Sequence, residues 1–231
     1  MSALLFLLLF AGSCATLQVK KPVSEPEIHE ISSIKELENW IVPDTLVLFD
    51  LDNTLFESTD MVGHANWFND MLKKYPDRQD EILKRSWGAI DRTDVRLIEE
   101  IAPKVIANLQ KRGVSVMALT SRNLILLDAT LRQVKSVGID FSKTSHFEDS
   151  AYYHEGILFA HNNYPKGQAL LNYLKDISFK PKRIILVDDL KKNLEDVCSV
   201  TGAIGLYYPI VDHKRHLEWD EKEAERRWLS P

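Results

Sequence analysis

Asp50 and Asp52 stand one residue apart at the end of the apolar run Leu46-Val47-Leu48-Phe49, with Asn53 and Thr54 directly after them. A β-branched and aromatic run that stops in two acids reads as a buried parallel strand delivering carboxylates to the carboxyl edge of a sheet. Open α/β folds hold their ligands at that edge. A second acidic pair, Asp188-Asp189, follows the run Arg183 to Val187, and the polar triplet Thr120-Ser121-Arg122 follows the run Val114 to Leu119. Lys166-Gly167 is placed to open a helix between them. Carboxylates crowded together repel one another and hold on to their protons. A divalent cation removes that conflict, and Asp50, Asp52, Asp188 and Asp189 offer the hard oxygen donors that Mg²⁺ takes.

Positioning these groups calls for strands alternating with helices, which argues for a parallel sheet with right-handed crossovers. Ser33-Ile34-Lys35-Glu36 is a capping-box signature for a short helix toward Trp40 and Ile41, and Pro43-Asp44 turns the chain into the Asp50 strand. Val95 to Lys111 reads as an amphipathic helix divided by Pro103, with Gly113 as its stop. A helix over Leu124 to Ser136, closed by Gly138, leads to a predicted third strand near Thr144 to Phe147. Tyr152 to Phe159 reads as a β-hairpin turning at Gly156. After the Arg183 strand, a helix stops at Gly202 and Ala203 to Tyr208 supplies a fifth strand. His213 to Leu229, dense in Glu, Lys and Arg, reads as a solvated helix.

The segment between Phe56 and about Asp94 interrupts this alternation. Helical patterns over Ala65 to Lys74 and Arg78 to Ile90 predict a small cap above the strand ends. It carries His64, Trp67, Phe68, Trp87 and Arg92. The aromatic residues could stack on a base or sugar, but at helical spacing packing is the preferred reading, as it is for His64.

The four stretches, Asp50-Leu51-Asp52-Asn53-Thr54, Leu119-Thr120-Ser121-Arg122, Lys166 and Asp188-Asp189, resemble the four ordered motifs of the haloacid dehalogenase (HAD) superfamily of phosphatases and phosphotransferases. The resemblance runs from about Thr45 to Tyr208. It implies an α/β fold, a Rossmann-like doubly wound parallel sheet with a small helical cap insertion. Gly63, Trp67 and Phe68, together with Gly156-Ile157-Leu158-Phe159 before Lys166-Gly167, further resemble an exported bacterial branch known mainly as a domain of unknown function.

What the resemblance implies for the residues is a phosphohydrolase acting through an aspartyl phosphate. Asp50 would be the nucleophile and a Mg²⁺ ligand. Asp52 would be the general acid and base, lending a backbone carbonyl to the metal. Thr120 and Ser121 would hold phosphoryl oxygens, Lys166 would spread positive charge over the transition state, and Asn53 and Thr54 would line the substrate site. Asp188 would ligate the metal, and Asp189 would orient Lys166 or a metal-bound water. An anionic nucleophile attacking an anionic phosphoryl group needs such cations in any case.

Plainer roles stand beside these. Thr120-Ser121 and Asp188-Asp189 could cap the helices that follow them, and Lys166 could be a solvated lysine, although a cation at a helix start opposes the dipole. Arg122 could reach a second phosphate or a substrate carboxylate, or pair with an acid of the cap.

With 231 residues, of which 45% are apolar, the chain can bury one substantial core. Its net charge of -5 offers no general attraction to nucleic acid polymers or anionic lipid. Residues 1–15 suit a signal peptide: a short apolar run, too brief to span a bilayer, ends in Gly12-Ser13-Cys14-Ala15. The alternative is a lipoprotein leader cleaved before Cys14, leaving a lipid anchor there. Residues 16–32 read as a linker or arm, and 33–231 as the HAD-like domain with its cap at about 57–94. With the leader removed only Cys198 is certain to remain, and it reads as a small buried apolar residue. The chain therefore reads as an exported protein, periplasmic, secreted or lipid-anchored, with small phosphorylated partners. A phosphotransferase and a non-catalytic envelope or host-interaction protein are the alternatives, and oligomeric state is not indicated.

Overall fold

The structure, a computed structural model, describes residues 25–144, 148–160, 165–213 and 220–229. The leader, Cys14, most of the linker and residues 145–147 of the expected third strand lie outside them. Nine strands are described: β1 Ile28–Glu30, β2 Thr45–Phe49, β3 Phe56–Ser58, β4 Val95–Leu97, β5 Ser115–Thr120, β6 Tyr153–His154, β7 Ile157–Phe159, β8 Arg183–Asp188 and β9 Ile204–Tyr207. The α-helices are α1 Ala65–Lys74, α2 Gln79–Arg92, α3 Ala102–Lys111, α4 Leu127–Ser136, α5 Lys166–Asp176, α6 Lys191–Thr201, α7 Ile210–His213 and α8 Glu221–Leu229.

Seven strands form one sheet in the order β1-β9-β8-β2-β5-β7-β6, parallel throughout except for β6. Its centre is β2, where Val47 lies opposite Val116 on one side and Ile185 on the other. Side chains alternate strictly. Val47, Phe49, Val116, Ala118, Ile185 and Val187 enter one apolar cluster with Val105, Ile106 and Leu109 of α3 and Val134 of α4. Leu46, Leu48, Met117, Leu119 and Leu186 enter the opposite cluster with Leu170 of α5 and Leu194 and Val197 of α6. The period-two pattern of a strand covered on both faces thus becomes a doubly wound, three-layer α/β fold. Leu48 and Phe49 are wholly buried, each stabilising the core by about 1.5–3 kcal/mol. The strand that ends in Asp50 is anchored accordingly.

Several local signals act as the chemistry predicts. The Ser33 hydroxyl accepts the Lys35 amide and the Glu36 carboxylate accepts the Ser33 amide, closing a capping box on the 3₁₀ helix Ile34–Trp40. Gly156 turns the β6–β7 hairpin with φ at +83°, and an added Cβ there would meet the Phe141 carbonyl oxygen at 2.6 Å. Only glycine fits both constraints. Cys198 is buried, which pushes its thiol up to about 11.

Four elements differ from the sequence reading. Residues 28–30, read as part of an arm, form the edge strand β1 against β9. Residues 95–97, read as the start of a helix, form β4; α3 begins only at Ala102, with Pro103 in its first turn, where its missing N–H costs nothing. The sheet position beside β5 is filled by β7 of the hairpin. Lastly, α8 is not freely solvated. Ala224 and Trp228 pack with Trp67, Met71 and Ile82 of the cap, the Trp67 and Trp228 rings meeting edge-on with centroids 6.4 Å apart.

The cap consists of α1 and α2 and is carried on a stem of two antiparallel strands, β3 and β4. The stem is fastened where the Ser58 and Thr93 hydroxyls meet at 2.9 Å. No described helix is long and apolar enough to cross a membrane.

Candidate active site

The carboxyl ends of β2, β5 and β8 and the start of α5 converge on one cavity of about 470 Å³, roofed by α1 and α2. Asp50, Asp52, Asn53, Thr120, Ser121, Arg122, Lys166 and Asp189 all line it. Adjacent parallel strands place these residues side by side although more than a hundred positions separate the first from the last.

Lys166 is the electrostatic centre. Its ammonium donates to Asp50 Oδ1 at 2.6 Å and to Asp188 Oδ2 at 2.7 Å. The side chain enters the site because α5 starts there, and α5 starts there because its first amides are held by α6: the Gly167 N–H donates to Asp196 Oδ2 at 2.8 Å. A Cβ on Gly167 would stand 2.7 Å from the Asp196 carbonyl oxygen, so glycine is what lets the two helices approach. Burial works against the ammonium, but the charges of Asp188 and Asp50 more than offset it and hold Lys166 protonated above its ordinary value.

Asp188 is wholly buried and fully engaged. Beyond Lys166, its carboxylate accepts the Leu190 amide at 2.9 Å and the Asn193 side-chain amide at 3.0 and 3.1 Å. It therefore caps the turn before α6 while holding Lys166, so capping does not take it away from the acid cluster. Asp189 is aimed by Thr54, whose hydroxyl accepts the Asp189 amide at 3.1 Å. Thr54 is itself wholly buried. It supports the loop after β8 from below and does not reach the cavity, where the sequence reading had placed it.

Asp50, Asp188 and Asp189 bring carboxylate oxygens within 4.8 Å of one another. Three buried carboxylates then face one ammonium, and burial together with the Asp188 charge pushes the Asp50 carboxyl up to about 7 against the pull of Lys166. The set is composed of the oxygen ligands a hard divalent cation takes. A cation of that kind fits it.

Asp52 is turned elsewhere. Arg122 grips it through two parallel hydrogen bonds, Nε to Oδ2 at 2.8 Å and Nη2 to Oδ1 at 2.7 Å. Burial opposes ionisation of Asp52, yet the charge and hydrogen bonds of Arg122 outweigh it and hold the carboxyl below its ordinary value. The remaining Nη1 of Arg122 donates to Thr130 Oγ1 at 3.1 Å and Gln133 Oε1 at 2.7 Å. Its guanidinium also lies over the Phe56 ring, 5.3 Å from the centroid. Within the protein, the partner of Arg122 is thus the motif acid Asp52 and not an acid of the cap.

Of the other predicted residues, Asn53 takes a left-handed conformation with φ at +62°, which asparagine tolerates, and its side-chain amide donates to Asn66 Oδ1 at 3.1 Å. The Thr120 hydroxyl accepts the Arg122 amide at 3.1 Å, and Ser121 is exposed to the cavity. From the cap, Phe68 and Trp87 line the cavity while Trp67 packs away from it. His64 is buried, where it accepts the Asn66 amide at the start of α1 and pairs with Glu57. Thr130 and Gln133 were missed. The one signal was two polar residues on the buried face of a predicted amphipathic helix, both wholly buried.

An acid pair after β2, a hydroxyl after β5, a lysine opening α5 and an acid pair closing β8 meet in that chain order at one edge of a doubly wound α/β sheet beneath an inserted cap, the arrangement that the HAD resemblance implies. The family described as "Protein of unknown function (DUF2608)" matches residues 28–226, and the chain belongs to it. A Chlamydia trachomatis protein named "Putative outer membrane protein" is 25% identical over 200 residues, covering 78% of this chain and 74% of its own. A Chlamydia pneumoniae protein named in the same way is 25% identical over 221 residues, covering 89% and 79%. Among solved structures, a HAD-superfamily hydrolase of subfamily IA from Geobacter sulfurreducens is similar with a TM-score of 0.45 and 15% identity, over 71% of this chain and 89% of its own. The class C acid phosphatase from Bacillus anthracis is similar with a TM-score of 0.40 and 14% identity, over 85% and 84%.

Proposed function

We propose that the protein is an exported Mg²⁺-dependent phosphohydrolase that removes phosphate from small phosphomonoesters through an aspartyl phosphate on Asp50. The observation that carries this reading is the Asp50–Lys166–Asp188 bridge, with Asp189 beside it, at the floor of the cavity beneath the cap. Asp50, Asp188 and Asp189 would hold Mg²⁺, with the Asp52 carbonyl as a further ligand. The bound ion would offset the negative charge of the phosphoryl group and of the carboxylates around it.

In the reaction, a carboxylate oxygen of Asp50 attacks phosphorus in line and the bond to the leaving oxygen breaks. Asp52, whose ionised form Arg122 favours in the empty site, takes up a proton as the anionic phosphoryl group approaches and supplies it to the leaving alcohol. Water then attacks the aspartyl phosphate, returns a proton to Asp52, and frees both inorganic phosphate and the Asp50 carboxylate. The Thr120 hydroxyl and Ser121 amide hold the phosphoryl oxygens, and Lys166 adds positive charge where negative charge grows. The cavity of about 470 Å³ suits a small substrate. Export and an envelope location are supported by the apolar leader and by the outer membrane names of the Chlamydia relatives.

The test is hydrolysis of 4-nitrophenyl phosphate by the purified chain with and without Mg²⁺. Metal-dependent turnover that disappears in Asp50→Asn supports the reading. Full activity in that variant, or none in the wild type across a broad phosphoester panel, would sink it.

A further inference from the structure

Between the motif acid Asp52 and the cap runs a buried chain of polar contacts that the proposed chemistry does not use. Arg122 holds Asp52 with two of its nitrogens and passes the third to Gln133 Oε1 at 2.7 Å. The side-chain amide of Gln133 then donates twice, to the Ile90 carbonyl and to the Thr93 carbonyl, each at 2.9 Å. Ile90 lies in the last turn of cap helix α2, and Thr93 is the residue that ends it, two positions before the stem strand β4.

Each link is costly to leave unmade. At the end of α2 the Ile90 carbonyl takes the Thr93 amide in a long bond of 3.4 Å, and Gln133 adds a shorter donor there and another to the Thr93 carbonyl. Gln133 is wholly buried and Arg122 nearly so, which makes an unsatisfied donor or acceptor at either position unfavourable. An amide side chain serves this junction better than a carboxylate or a lysine could. It accepts from the guanidinium with one end and donates to two carbonyls with the other. Thr130 Oγ1, which takes the second proton of the same Arg122 nitrogen, steadies the guanidinium on helix α4 of the core. The relay thus spans a core helix, a catalytic loop and the base of the cap.

We propose that Arg122 and Gln133 are positioning residues that couple the placement of Asp52 to the seating of the cap on its stem. With α2 seated, Gln133 is fixed by the two carbonyls, Arg122 is fixed by Gln133, and the Asp52 carboxylate is held at the cavity wall. Displacement of the end of α2 frees Gln133, loosens Arg122 and releases Asp52. This rests on the phosphohydrolase reading for the role of Asp52, but the mechanical coupling does not.

Two measurements on the full chain separate the coupling from that reading. The first is hydrogen exchange of the backbone amides of residues 90–97 in the wild type, Gln133→Leu and Arg122→Met. Gln133→Leu is expected to speed exchange there about tenfold through loss of two hydrogen bonds, and Arg122→Met to speed it severalfold although it touches neither carbonyl. Wild-type exchange in Arg122→Met overturns the coupling. Should Arg122→Met fail to fold, Asp52→Asn takes its place: it weakens the grip at the far end of the relay and touches neither Gln133 nor the two carbonyls. Exchange near 90–97 must then still rise, and wild-type exchange overturns the proposal.

The second measurement is the ratio of kcat on an alkyl phosphate to kcat on 4-nitrophenyl phosphate. An alkoxide leaving group needs a well-placed acid and nitrophenolate does not, so Gln133→Leu should lower this ratio about tenfold or more, with KM for the aryl ester little changed. An equal fall on both substrates overturns the positioning role. If the wild type hydrolyses neither ester, the phosphohydrolase reading fails and the exchange result alone decides the coupling.

Discussion

The hydroxyl of Thr54 accepts the backbone amide of Asp189 at 3.1 Å and so ties the loop after β2 to the loop after β8. The two strands already pair along their length; this bond fixes the loops beyond them, where the carboxylates are. Thr54→Val keeps the shape and strands a buried N–H. It should cost about 1–3 kcal/mol of stability and weaken Mg²⁺ binding about tenfold, measured by denaturant unfolding and by titration calorimetry. Unchanged affinity would show that the Asp189 loop holds its place without Thr54.

Lys166 neutralises two buried carboxylates at once. Lys166→Met leaves both uncompensated and is expected to destabilise the metal-free protein by about 3–5 kcal/mol. Mg²⁺ should recover part of that loss, since a cation enters the space of the missing charge. Thermal unfolding with and without Mg²⁺ checks both statements.

The raised Asp50 carboxyl fixes the sign of a pH effect. Its value rises from 3.8 to about 7 on folding in the absence of metal, so between those limits the folded state binds the extra proton. The corresponding stability is full below the lower limit and is lost as pH climbs through the upper one. The stability difference between wild type and Asp50→Asn without metal should therefore shift against the wild type from pH 4 to about pH 7 and then level off. Mg²⁺ competes with that proton, and the rise in Tm it produces should grow over the same range.

Removal of the proposed nucleophile should be the severest change. Asp50→Asn is expected to lower turnover of an aryl phosphate on the order of 10⁴-fold while the fold stays intact by circular dichroism. Asp52→Asn should impair turnover and leave Mg²⁺ affinity close to that of the wild type, because its side chain is engaged by Arg122 and stands outside the acidic cluster.

Trp228 anchors α8 to the cap through its contact with Trp67. Trp228→Ala should free the carboxyl-terminal helix and expose it to limited proteolysis, with cleavage after Arg226 or Arg227 by trypsin at a rate at least tenfold above that of the wild type. Equal rates would mean that the ion pairs of Lys74 with Glu225 and of Arg227 with Asp60 hold the helix alone.

The sheet was legible because its strands carry the period-two signature on both faces. Leu46 and Leu48 separate from Val47 and Phe49 into opposite clusters, and a run apolar at every position is what that arrangement demands. The acid pairs were legible because polar residues end such runs abruptly. β1 and β4 were not, for physical reasons. Ile28–Glu30 is a three-residue edge strand, too short to show alternation and half exposed. Val95–Leu97 continues into Ile98, Ile101 and Ala102, so its spacing blends into that of α3. The grip of Arg122 on Asp52 belongs to neither period. Thr130 and Gln133 sit on α4, and only the packing of that helix against the end of α2 gives a buried glutamine its purpose. α8 was missed for a related reason: six of its nine residues are charged, and the pair Ala224 and Trp228 gains meaning only when Trp67 is there to meet it.

The stem of the cap has a consequence of another kind. Because β3 and β4 run side by side in opposite directions, the polypeptide departs from the sheet and comes back at neighbouring points. Whatever lies between those points can lengthen, shorten or be exchanged without moving a single sheet strand. A transplanted cap on this base should therefore leave the sheet undisturbed, but it would keep Asp52 in place only if its last turn again offered Gln133 two carbonyls.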